Sequence, residues 1–559
     1  MVDLKGNPFY LKDEQIAWVN RTLENLTLDE KVGQLFCPIG MSTDEKALFD
    51  LAANKKVGGL LFRPGKGEEV QQAHRYLQHQ AKVPMLIAAN LEAGGTGSAI
   101  DGTRIGNPML LAAGQDAEFG HHLGEVCAKE GSAVGVNWAF APVVDIDYNF
   151  HNPITNVRTY GSDPETVLNY AKGFVEAVQQ NGVAASIKHF PGDGIDFRDQ
   201  HLVTTVNTLP LEEWRSTYGK VYSGLIEAGS LSVMIGHIAL PAVQKSEEDA
   251  FLPATLSPVI MQELLREELG FNGVITSDAT PMVGFCAAME RRLAVPTAIA
   301  AGCDIFLFNK DLEEDIRFMK EGIANGILTP ERIDEAVTRI LAMKAALKLP
   351  EKQADALLVP AKEELAVLQA EQHVQWATEA ADKGITLVKD TAGNLPLRPD
   401  ATPRLLLQLL GPYEESNTQI FSKVLPLLEK EGFQVTLYQP EDFTTGFESV
   451  SQFRSKYDAV LYLANVENRS NATTTRINWY TFLGLGNNIP WFVDEVPTIF
   501  ASLGNPYHLM DVPMVKTYIN AYDNHEAVIE AFVAKLIGKS HFKGESPIDP
   551  YCGLMDARR

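Results

Sequence analysis

The sequence predicts an α/β protein with two folded parts, an N-terminal (β/α)8 barrel of the TIM type and a C-terminal three-layer α/β sandwich. Up to about residue 350, eight short runs rich in β-branched apolar residues alternate with longer segments of helical period. A second series of the same kind begins after residue 384. We therefore expect the barrel over residues 1–350, a helical linker over 351–384 and the sandwich domain over 385–559.

The barrel prediction depends on the number of apolar runs. Eight units in about 350 residues fit a barrel with insertions better than a doubly wound sheet. In chain order the predicted strands are Val32–Cys37, Val57–Phe62, Met85–Ala89, Val136–Val144, Val183–His189, Leu231–His237, Gly273–Ser277 and Cys303–Phe308. Predicted helices between or after them include Asp116–Ala133, Leu211–Ala228, Pro258–Leu269 and Pro330–Leu347.

The second series predicts a separate α/β domain. Its apolar runs are Ile385–Lys389, Arg404–Leu410, Gln434–Leu437, Asp458–Ala464, Ile489–Val493, Thr498–Leu503 and Lys516–Ala521. They alternate with helical stretches such as Ile420–Glu431 and Glu526–Leu536. This alternation is typical of a sheet covered by helices.

The charge of the chain excludes some classes of partner. The 559 residues carry 48 basic and 72 acidic side chains, a formal net charge of −24. A field of this sign repels phosphate backbones and anionic lipids, so we expect no nucleic-acid partner and no membrane binding. The first residues lack the pattern of a signal peptide, and five scattered cysteines form no C-x-x-C pair. We expect a cytoplasmic protein and leave a homodimer open.

Polar residues stand where the predicted barrel strands end. Catalytic side chains of such barrels lie at the carboxyl ends of the strands, so these positions are candidates for a common site. They are Asn90 and Glu92 after the third run, Asp145 after the fourth, Lys188 and His189 in the fifth, His237 in the sixth and Asp278 after the seventh.

The densest group of polar residues begins where the fifth predicted strand ends. Charges on Lys188 and His189 at that position would be costly unless they were paired with protein carboxylates or ligand oxygens. The proline and two glycines within residues 191–194 predict a mobile or sharply turned loop. A solvated loop whose aspartates only make turns is the alternative.

The same loop ends in a carboxylate and an imidazole two residues apart. In an extended segment, Asp199 would lie on the same side as His201, fix its tautomer and stabilise the imidazolium. Such a histidine can act as a general acid and then as a base. A metal site made of Asp199, His201, His189 and Asp193 is the rival interpretation. No zincin spacing or thiolate cluster supports it, and we expect no metal.

Asp278 follows an apolar run that has the form of a fully buried strand. In a barrel this position lies at the mouth, facing the same space as Lys188 and His189. A helix N-cap is the alternative, because Asp and Ser are favoured caps and Thr280-Pro281 fits a helix start. Position alone leaves both readings open.

Several motifs together resemble a known family. They are Lys188-His189-Phe190-Pro191-Gly192, then Asp199-Gln200-His201, then Gly273-Val274-Ile275-Thr276-Ser277-Asp278-Ala279. In this order they resemble the β-N-acetylhexosaminidase branch of glycoside hydrolase family 3. Further matches in the expected order are Leu28–Leu35, Asn137–Asp145, Val157–Gly161, Val233–Ile238, Gly384–Lys389 and Ser502–Tyr507.

The resemblance implies a retaining, exo-acting glycosidase that removes terminal β-linked N-acetylhexosamine, with N-acetylglucosamine as the expected sugar. By that analogy Asp278 is the nucleophile that forms a glycosyl-enzyme. His201, oriented by Asp199, protonates the leaving oxygen and later activates water. No cofactor is implied, and carbohydrate is the expected partner. The predicted sugar-binding residues are Lys188, His189, Arg158, Asn90, Asp145, His237 and Met282.

The sequence departs from the family pattern at the sugar site. Asn90 stands where the family has an aspartate, and Thr96-Gly97-Ser98 stands where an arginine is frequent. Asp193 replaces the common histidine of the glycine loop. These changes alter the walls of the sugar and aglycone subsites and leave the sugar specificity open. None of them touches the nucleophile or the D-x-H pair, so we keep the reaction class.

Three alternatives remain on the same fold. A histidine acid/base is uncharged once it has given up its proton and tolerates an anionic acceptor, which makes phosphorolysis an alternative to hydrolysis. A β-glucosidase is the second, although such enzymes commonly draw their acid/base from elsewhere. A catalytically silent sugar-binding homologue is the third.

Overall fold

The computed structural model describes residues 2–412, 414–439, 448–482, 485–486 and 488–559. Contacts between Cα atoms divide the chain into two compact units. The first consists of Met1–Ile105, Ala117–Asn152 and Pro164–Val374. The second consists of Gly106–Asp116, Pro153–Asp163 and Gln375–Arg559. Two short segments from the N-terminal half of the sequence thus belong to the second unit.

The first unit is a parallel barrel, as predicted. In order around the sheet its eight strands are Phe36–Cys37 with Ile39–Gly40, Gly59–Phe62, Leu86–Ala89, Trp138–Ala139, Ala184–Phe190, Ser232–Ile235, Val274–Ser277 and Phe306–Leu307. Phe36 pairs with Phe306, and a bridge joins Thr276 to Ile305, so the eighth strand closes the ring between the first and the seventh.

Side chains fill the interior of the barrel. Residues of the third, fifth, sixth and seventh strands are buried throughout, which explains why these strands are continuous apolar runs. The amide of Asn137 donates to the Met85 carbonyl (3.1 Å) and accepts from the Ile87 N–H (2.8 Å). Trp138 Nε1 donates to Ser232 Oγ at 2.8 Å. The barrel is therefore a packed core, and its chemistry is confined to its ends.

Helices follow the strands of the first unit. The longer ones are Asp13–Asn25, Gly67–Gln80, Glu118–Ala133, Pro164–Gln180, Lys220–Glu227, Val259–Glu268, Arg291–Ala301, Leu312–Ala324 and Pro330–Ala346. Shorter helices are Leu28–Gln34, Glu45–Phe49, Asp50–Lys55, Gly95–Gly97, Leu211–Trp214, Arg215–Gly219, Pro241–Val243, Ala254–Leu256, Val283–Cys286, Leu349–Ala354 and Lys362–Val367. Two further short strands, Thr205–Val206 and Ile238–Ala239, pair outside the barrel.

The first predicted strand is wrong over its first half. In the predicted strand Val32–Cys37, the residues up to Gln34 belong instead to the helix Leu28–Gln34. Thr27 and Glu30 form a reciprocal capping box at the start of this helix. The strand itself is interrupted at Pro38, which has no N–H to donate to a neighbouring strand. An apolar run alone did not separate the end of this helix from the start of the strand.

The second unit contains a six-stranded mixed sheet, as the predicted sandwich requires. Its strand order is Thr386–Asp390, Thr517–Asn520, Thr498–Ser502, Ala459–Ala464, Arg404–Leu410 and Gln434–Leu437. Only the first of these runs antiparallel to its neighbour. A two-stranded hairpin, Thr481–Phe482 with Leu485–Gly486, lies apart. Helices of this unit are Pro108–Ala113, Asn156–Arg158, Glu414–Lys430, Val450–Lys456, His508–Met510, Glu526–Leu536 and Asp556–Arg558, and Glu371–Gly384 leads into it.

One predicted strand of the second unit is wrong. Ile489–Val493 forms no strand and lies largely in a turn. Phe492 is nevertheless buried, and its ring stacks on that of Phe453 with 4.4 Å between centroids. The run is only partly buried, since Trp491 beside Phe492 is 39% exposed. Within the described residues, no helix is long and apolar enough to cross a membrane.

Candidate active site

The carboxyl end of the barrel brings the predicted polar residues of the first unit together. Strands five, six and seven place their last or following side chains beside one another there. The residues so placed are Lys188, His189, His237 and Asp278, joined by Asp145 from the loop after the fourth strand.

Asp278 is the first residue after the seventh strand, and its side chain is 15% exposed. Oδ1 accepts the N–H of the next residue at 2.6 Å, and Oδ2 lies 3.8 Å from His189 Nε2. Burial by itself raises the pKa of this carboxyl, but the imidazoles of His189, His237 and His201 outweigh it, so the pKa lies below its usual range. The nearest helix begins at Val283, so Asp278 is not a helix cap.

His189 is fixed by Asp145. Its Nδ1 lies 2.7 Å from Asp145 Oδ2, and its backbone N–H donates to Asp145 Oδ1 at 3.1 Å. Burial by itself raises the pKa of Asp145, but His189 and two backbone N–H groups have the larger, opposite effect. The pKa therefore lies below its usual range and the carboxylate is ionised. An ionised carboxylate only accepts, so Nδ1 carries the proton. Nε2 of His189 is thereby directed toward Asp278.

Lys188 is paired with a carboxylate, which confirms the expectation that its charge is compensated. Nζ donates to Glu92 Oε1 at 2.5 Å, and the lysine side chain is only 3% exposed. Glu92 follows the third strand, and its pairing with Lys188 gives this strand-end residue a role. A lysine ammonium has three N–H donors, so those that do not bind the carboxylate can donate to a ligand oxygen.

The D-x-H pair makes the predicted contact, but in a turn and not in the expected extended segment, because the N–H groups of Leu202 and Val203 donate to the Asp199 carbonyl at 2.9 and 3.2 Å. Asp199 Oδ1 accepts from the backbone N–H of His201 at 2.8 Å and lies 2.6 Å from its Nδ1. The carboxylate is fully buried, whereas the imidazole is 22% exposed. His201 also lowers the pKa of Asp278, so the two groups are close enough to interact electrostatically. A free Nε2 on an oriented, partly exposed imidazole can donate and accept a proton.

The loop that carries His201 is attached to the segment after Asp278. The N–H of Val283 donates to the His201 carbonyl at 3.0 Å, and the N–H of Gly284 donates to the Gln200 carbonyl at 3.2 Å. Thr204 Oγ1 donates to the Gly284 carbonyl at 2.8 Å. Met282, predicted to contact the sugar, is buried at the start of this short helix.

The glycine loop before the D-x-H pair is sharply turned and fastened. Gly192 and Gly194 have φ of +117° and +105°, which a side chain would strain. Successive carbonyls of the loop accept hydrogen bonds from buried side chains. These bonds run from Trp214 to Pro191, from Asn207 to Gly192, from Tyr218 to Asp193, from Asn149 to Ile195 and from Asn152 to Asp196. The segment is therefore the sharply turned loop of the prediction and not the solvated loop that was its alternative.

Asp193, which departs from the family pattern, is a buried carboxyl group. Its Oδ1 accepts from Gly194 N–H (2.7 Å) and Asn152 Nδ2 (3.1 Å), while no described residue bonds to Oδ2. Burial raises its pKa well above the usual range, and the negative charge of Asp145 raises it further. Burial and the neighbouring Asp145 thus both favour the neutral form of Asp193.

His237 is engaged by protein groups at both nitrogens. Nε2 lies 3.0 Å from the Ala279 carbonyl and Nδ1 lies 3.0 Å from Thr255 Oγ1. Burial lowers the pKa of this imidazole, despite the opposing charge of Asp278. His237 thus holds the backbone next to Asp278.

The other two predicted sugar-binding residues are Asn90 and Arg158. Asn90 is exposed just after the third barrel strand. Arg158 belongs to the second unit, in the short helix Asn156–Arg158, and its Nη1 donates to the Ile154 carbonyl at 3.2 Å. Their roles stay predictions.

The site fits group transfer by carboxylate and imidazole. It holds one ionised, partly exposed carboxylate, one oriented imidazole and a lysine–glutamate pair on the same wall. Across the part of the chain that the structure describes, no three His, Cys, Asp or Glu side chains are grouped to hold a metal ion.

Comparisons with known proteins point to one family. Residues 27–343 match the model described as the glycosyl hydrolase family 3 N terminal domain. A protein of Cellulomonas fimi named beta-N-acetylglucosaminidase/beta-glucosidase is 43% identical over 567 residues, which cover 100% of both chains. Beta-hexosaminidase A of Pseudoalteromonas piscicida is 27% identical over 402 residues, covering 65% of this chain and 64% of its own.

Solved structures show the same relationship. The structure of beta-glucoside phosphorylase BglX bound to 2FGlc matches with a TM-score of 0.93 and 44% identity over 99% of each chain. A beta-N-acetylglucosaminidase of Paenibacillus sp. str. FPU-7 matches with a TM-score of 0.78 over 95% of this chain and 100% of its own. Its identity of 24% supports the shared fold only.

Proposed function

The chain belongs to glycoside hydrolase family 3, and from that premise we propose that it releases terminal β-linked N-acetylglucosamine or glucose through a covalent glycosyl-enzyme on Asp278. The enzyme acts on glycosides, as its family and its full-length relatives indicate. The Cellulomonas fimi relative is named for both sugars, which supports this pair of substrates.

The observation that carries the proposal is the combination of an ionised Asp278 with the Asp199–His201 pair. A nucleophilic carboxylate must be ionised at working pH, and three nearby imidazoles favour that state of Asp278. A general acid must hold a proton next to the bond that breaks, and His201 is oriented for this by a contact of 2.6 Å to Asp199.

The first step transfers the sugar to the enzyme. An Asp278 oxygen attacks the anomeric carbon while the bond from that carbon to the leaving oxygen breaks. The leaving oxygen takes the proton of His201, so the aglycone departs as a neutral alcohol. Lys188 and His189, each held by a carboxylate, are placed to bind sugar hydroxyls and to orient the anomeric carbon.

The second step transfers the sugar to an acceptor. An acceptor oxygen attacks the anomeric carbon and releases Asp278 with overall retention of configuration. With water as acceptor, His201 takes up the proton that water loses, and free sugar is the product. With phosphate as acceptor, the nucleophile is already an anion, and the product is a sugar 1-phosphate.

Phosphorolysis is a second candidate because the acid/base is an imidazole. After the first step His201 is uncharged and does not repel an incoming anion, whereas a carboxylate in its place would carry a negative charge. The similar solved structures described as a beta-glucoside phosphorylase support this acceptor.

Asn90 is the feature of the site that supports two sugars. It stands where the family commonly has an aspartate, so a charged contact to the sugar hydroxyls becomes an amide contact. An uncharged contact there is consistent with an enzyme that accepts either substituent on the sugar.

A panel of 4-nitrophenyl β-glycosides, assayed with and without phosphate, tests the proposal. We expect release of nitrophenol from the N-acetyl-β-glucosaminide and the β-glucoside, with sugar 1-phosphate formed only when phosphate is present. Free sugar at the same rate in both buffers would leave hydrolysis as the function. Sugar binding by calorimetry with no turnover of any glycoside would instead identify a catalytically silent homologue.

A further inference from the structure

Arg291 lies beneath the segment that follows Asp278. It is the first residue of the helix Arg291–Ala301. Nη1 donates to the carbonyl of Thr280 at 3.2 Å, and Nη2 donates to the Oγ1 of the same residue at 3.1 Å. Thr280, which is fully buried, is two residues from the proposed nucleophile. Thr280 also donates its N–H to the Leu307 carbonyl at 2.9 Å and its Oγ1–H to the Phe308 carbonyl at 2.6 Å. The two bonds from the guanidinium complete this anchoring by holding the Thr280 carbonyl and hydroxyl oxygens.

The guanidinium is itself held in one orientation. Nε donates to Asp315 Oδ1 at 2.8 Å and Nη2 donates to Asp315 Oδ2 at 2.6 Å. The Asp315 carboxylate is fully buried and the Arg291 side chain is 13% exposed. Asp315 also accepts from Asn309 Nδ2 and the Lys310 N–H, both at 3.3 Å. A bidentate pair in this setting is rigid and charge-compensated.

The segment that rests on Arg291 also reaches the acid/base loop. Through the N–H groups of Val283 and Gly284 it binds the carbonyls of His201 and Gln200. Between these ends, the Ala279 carbonyl lies 3.0 Å from His237 Nε2. The segment is therefore the direct connection between the nucleophile and the residue that donates the proton.

We propose that Arg291 is a positioning residue that sets the place of His201 relative to Asp278. This inference rests on the function proposed above. The nucleophile is anchored independently, because the Asp278 N–H donates to the Ile235 carbonyl at 2.8 Å as a continuation of the sheet. The His201 loop is held at the end of the sixth strand by the Gln200 side-chain oxygen, which accepts the His237 N–H at 2.8 Å. Its backbone is held by the two bonds from the segment on which Arg291 acts.

The expected defect is therefore in proton transfer. A glycoside with a poor leaving group needs a proton from His201 in the first step, whereas an acidic phenol leaves with little protonation. Loss of positioning should slow the first kind of substrate much more than the second. A merely structural role would lower the amount of folded enzyme and reduce the rate on both substrates by the same factor.

The test compares Arg291→Lys with the parent enzyme on phenyl and 2,4-dinitrophenyl N-acetyl-β-glucosaminides. Lysine keeps the charge but loses the bidentate contact to Asp315 and one of the bonds to Thr280. We expect kcat/KM to fall about 100-fold on the phenyl glycoside and less than about 5-fold on the dinitrophenyl glycoside. Equal losses on both substrates, or no loss on either, overturn the proposal.

Two further variants keep the result interpretable. Thr280→Val removes the side-chain acceptor of Arg291 Nη2 together with the bond from Thr280 Oγ1 to the Phe308 carbonyl, and should show the same pattern with a smaller loss. Arg404→Lys alters another bidentate pair, with Asp458 in the second unit (2.9 and 2.5 Å), and should change neither rate. Asp278→Asn should be inactive on both glycosides; if it were active, the proposed function itself would fail, whatever Arg291 does.

Discussion

The two ends of the barrel each hold an aspartate whose pKa is lowered, but their partners differ. Asp278, at the carboxyl end, is influenced by three imidazoles. Asp304, before the eighth strand at the amino end, accepts from Arg266 at 2.7 Å and from Arg332 at 2.8 Å. Arg339 lies 3.8 Å away. Burial alone would raise the pKa of both carboxyls.

The difference in partners separates chemistry from stability. A guanidinium stays charged at all working pH values, so the cluster around Asp304 cannot exchange protons and only fixes the strand and helix ends that it joins. Imidazoles gain and lose protons near neutral pH, so the surroundings of Asp278 can change charge during a reaction. This agrees with the general rule that the amino-terminal face of such barrels serves stability and the carboxyl-terminal face serves catalysis.

Replacing the aspartate with asparagine at each end tests the comparison, and the larger effect is expected at Asp278. Asp278→Asn should lower kcat/KM for a nitrophenyl glycoside by about 10⁴-fold or more, because the nucleophile is lost. The thermal midpoint should stay at or above that of the parent, since active-site groups are often placed at a cost in stability. Activity within tenfold of the parent would exclude Asp278 as the nucleophile.

His201→Ala sharpens the chemical side of the comparison. We expect a loss of about 10²- to 10⁴-fold on a phenyl glycoside, the usual contribution of general acid catalysis. On a dinitrophenyl glycoside the first step should be nearly unaffected, because that phenol needs no proton. Stopped-flow release of the phenol separates the two steps, and a uniform loss across leaving groups would speak against His201 as the acid.

Asp304→Asn tests the structural side. It leaves Arg266, Arg332 and Arg339 without their shared carboxylate, and breaking such a buried pair costs about 3–5 kcal/mol of the free energy of unfolding. Denaturant titration measures this loss. The kcat of the folded fraction should be unchanged, since the substitution lies at the opposite end of the barrel. A selective loss of kcat with normal stability would contradict the division between the two ends.

Lys344 offers the smallest and most pH-dependent effect. Its buried Nζ, which donates to Gln34 Oε1 at 2.6 Å, lies beside the start of the first strand, and burial lowers its pKa to about 7. The unfolded chain has the ordinary pKa of about 10.4, so it binds a proton that the folded chain lacks between these values, and stability rises with pH.

Lys344→Met removes this penalty. The variant should be more stable by about 2 to 4 kcal/mol at pH 7, and the advantage should shrink steadily as the pH approaches 10. Unfolding free energies measured across this range check the prediction. A stability advantage of Lys344→Met that grows with pH would contradict the prediction.

The barrel strands could be predicted because parallel strands that are buried on both faces are continuous apolar runs. Ile489–Val493 has the same composition but contains Pro490, which cannot donate to a ladder, and it forms a partly buried turn. Composition shows that a run is apolar; it does not show whether the run forms a buried strand or a partly buried turn.

The site divides in the same way. Asp278, Lys188 and His189 could be predicted because they stand at strand ends, and Asp199 could be assigned to His201 because they are two residues apart. The pairing of Lys188 with Glu92, 96 residues away, depends on the closed barrel and leaves no local pattern in the sequence. The bonds from Arg291 to Thr280, in the segment after Asp278, likewise leave no local pattern in the sequence.

The central claim is that Asp278 forms a covalent bond to the sugar. The direct measurement is the mass of peptides from enzyme treated with a 2-deoxy-2-fluoro-β-glucosyl fluoride, which slows release of the glycosyl-enzyme. We predict one fluoroglucosyl group on the peptide that contains Asp278, absent from Asp278→Asn and discharged on adding phosphate or an acceptor alcohol. A label on a different carboxylate, or an active enzyme that takes up no label, would contradict the account.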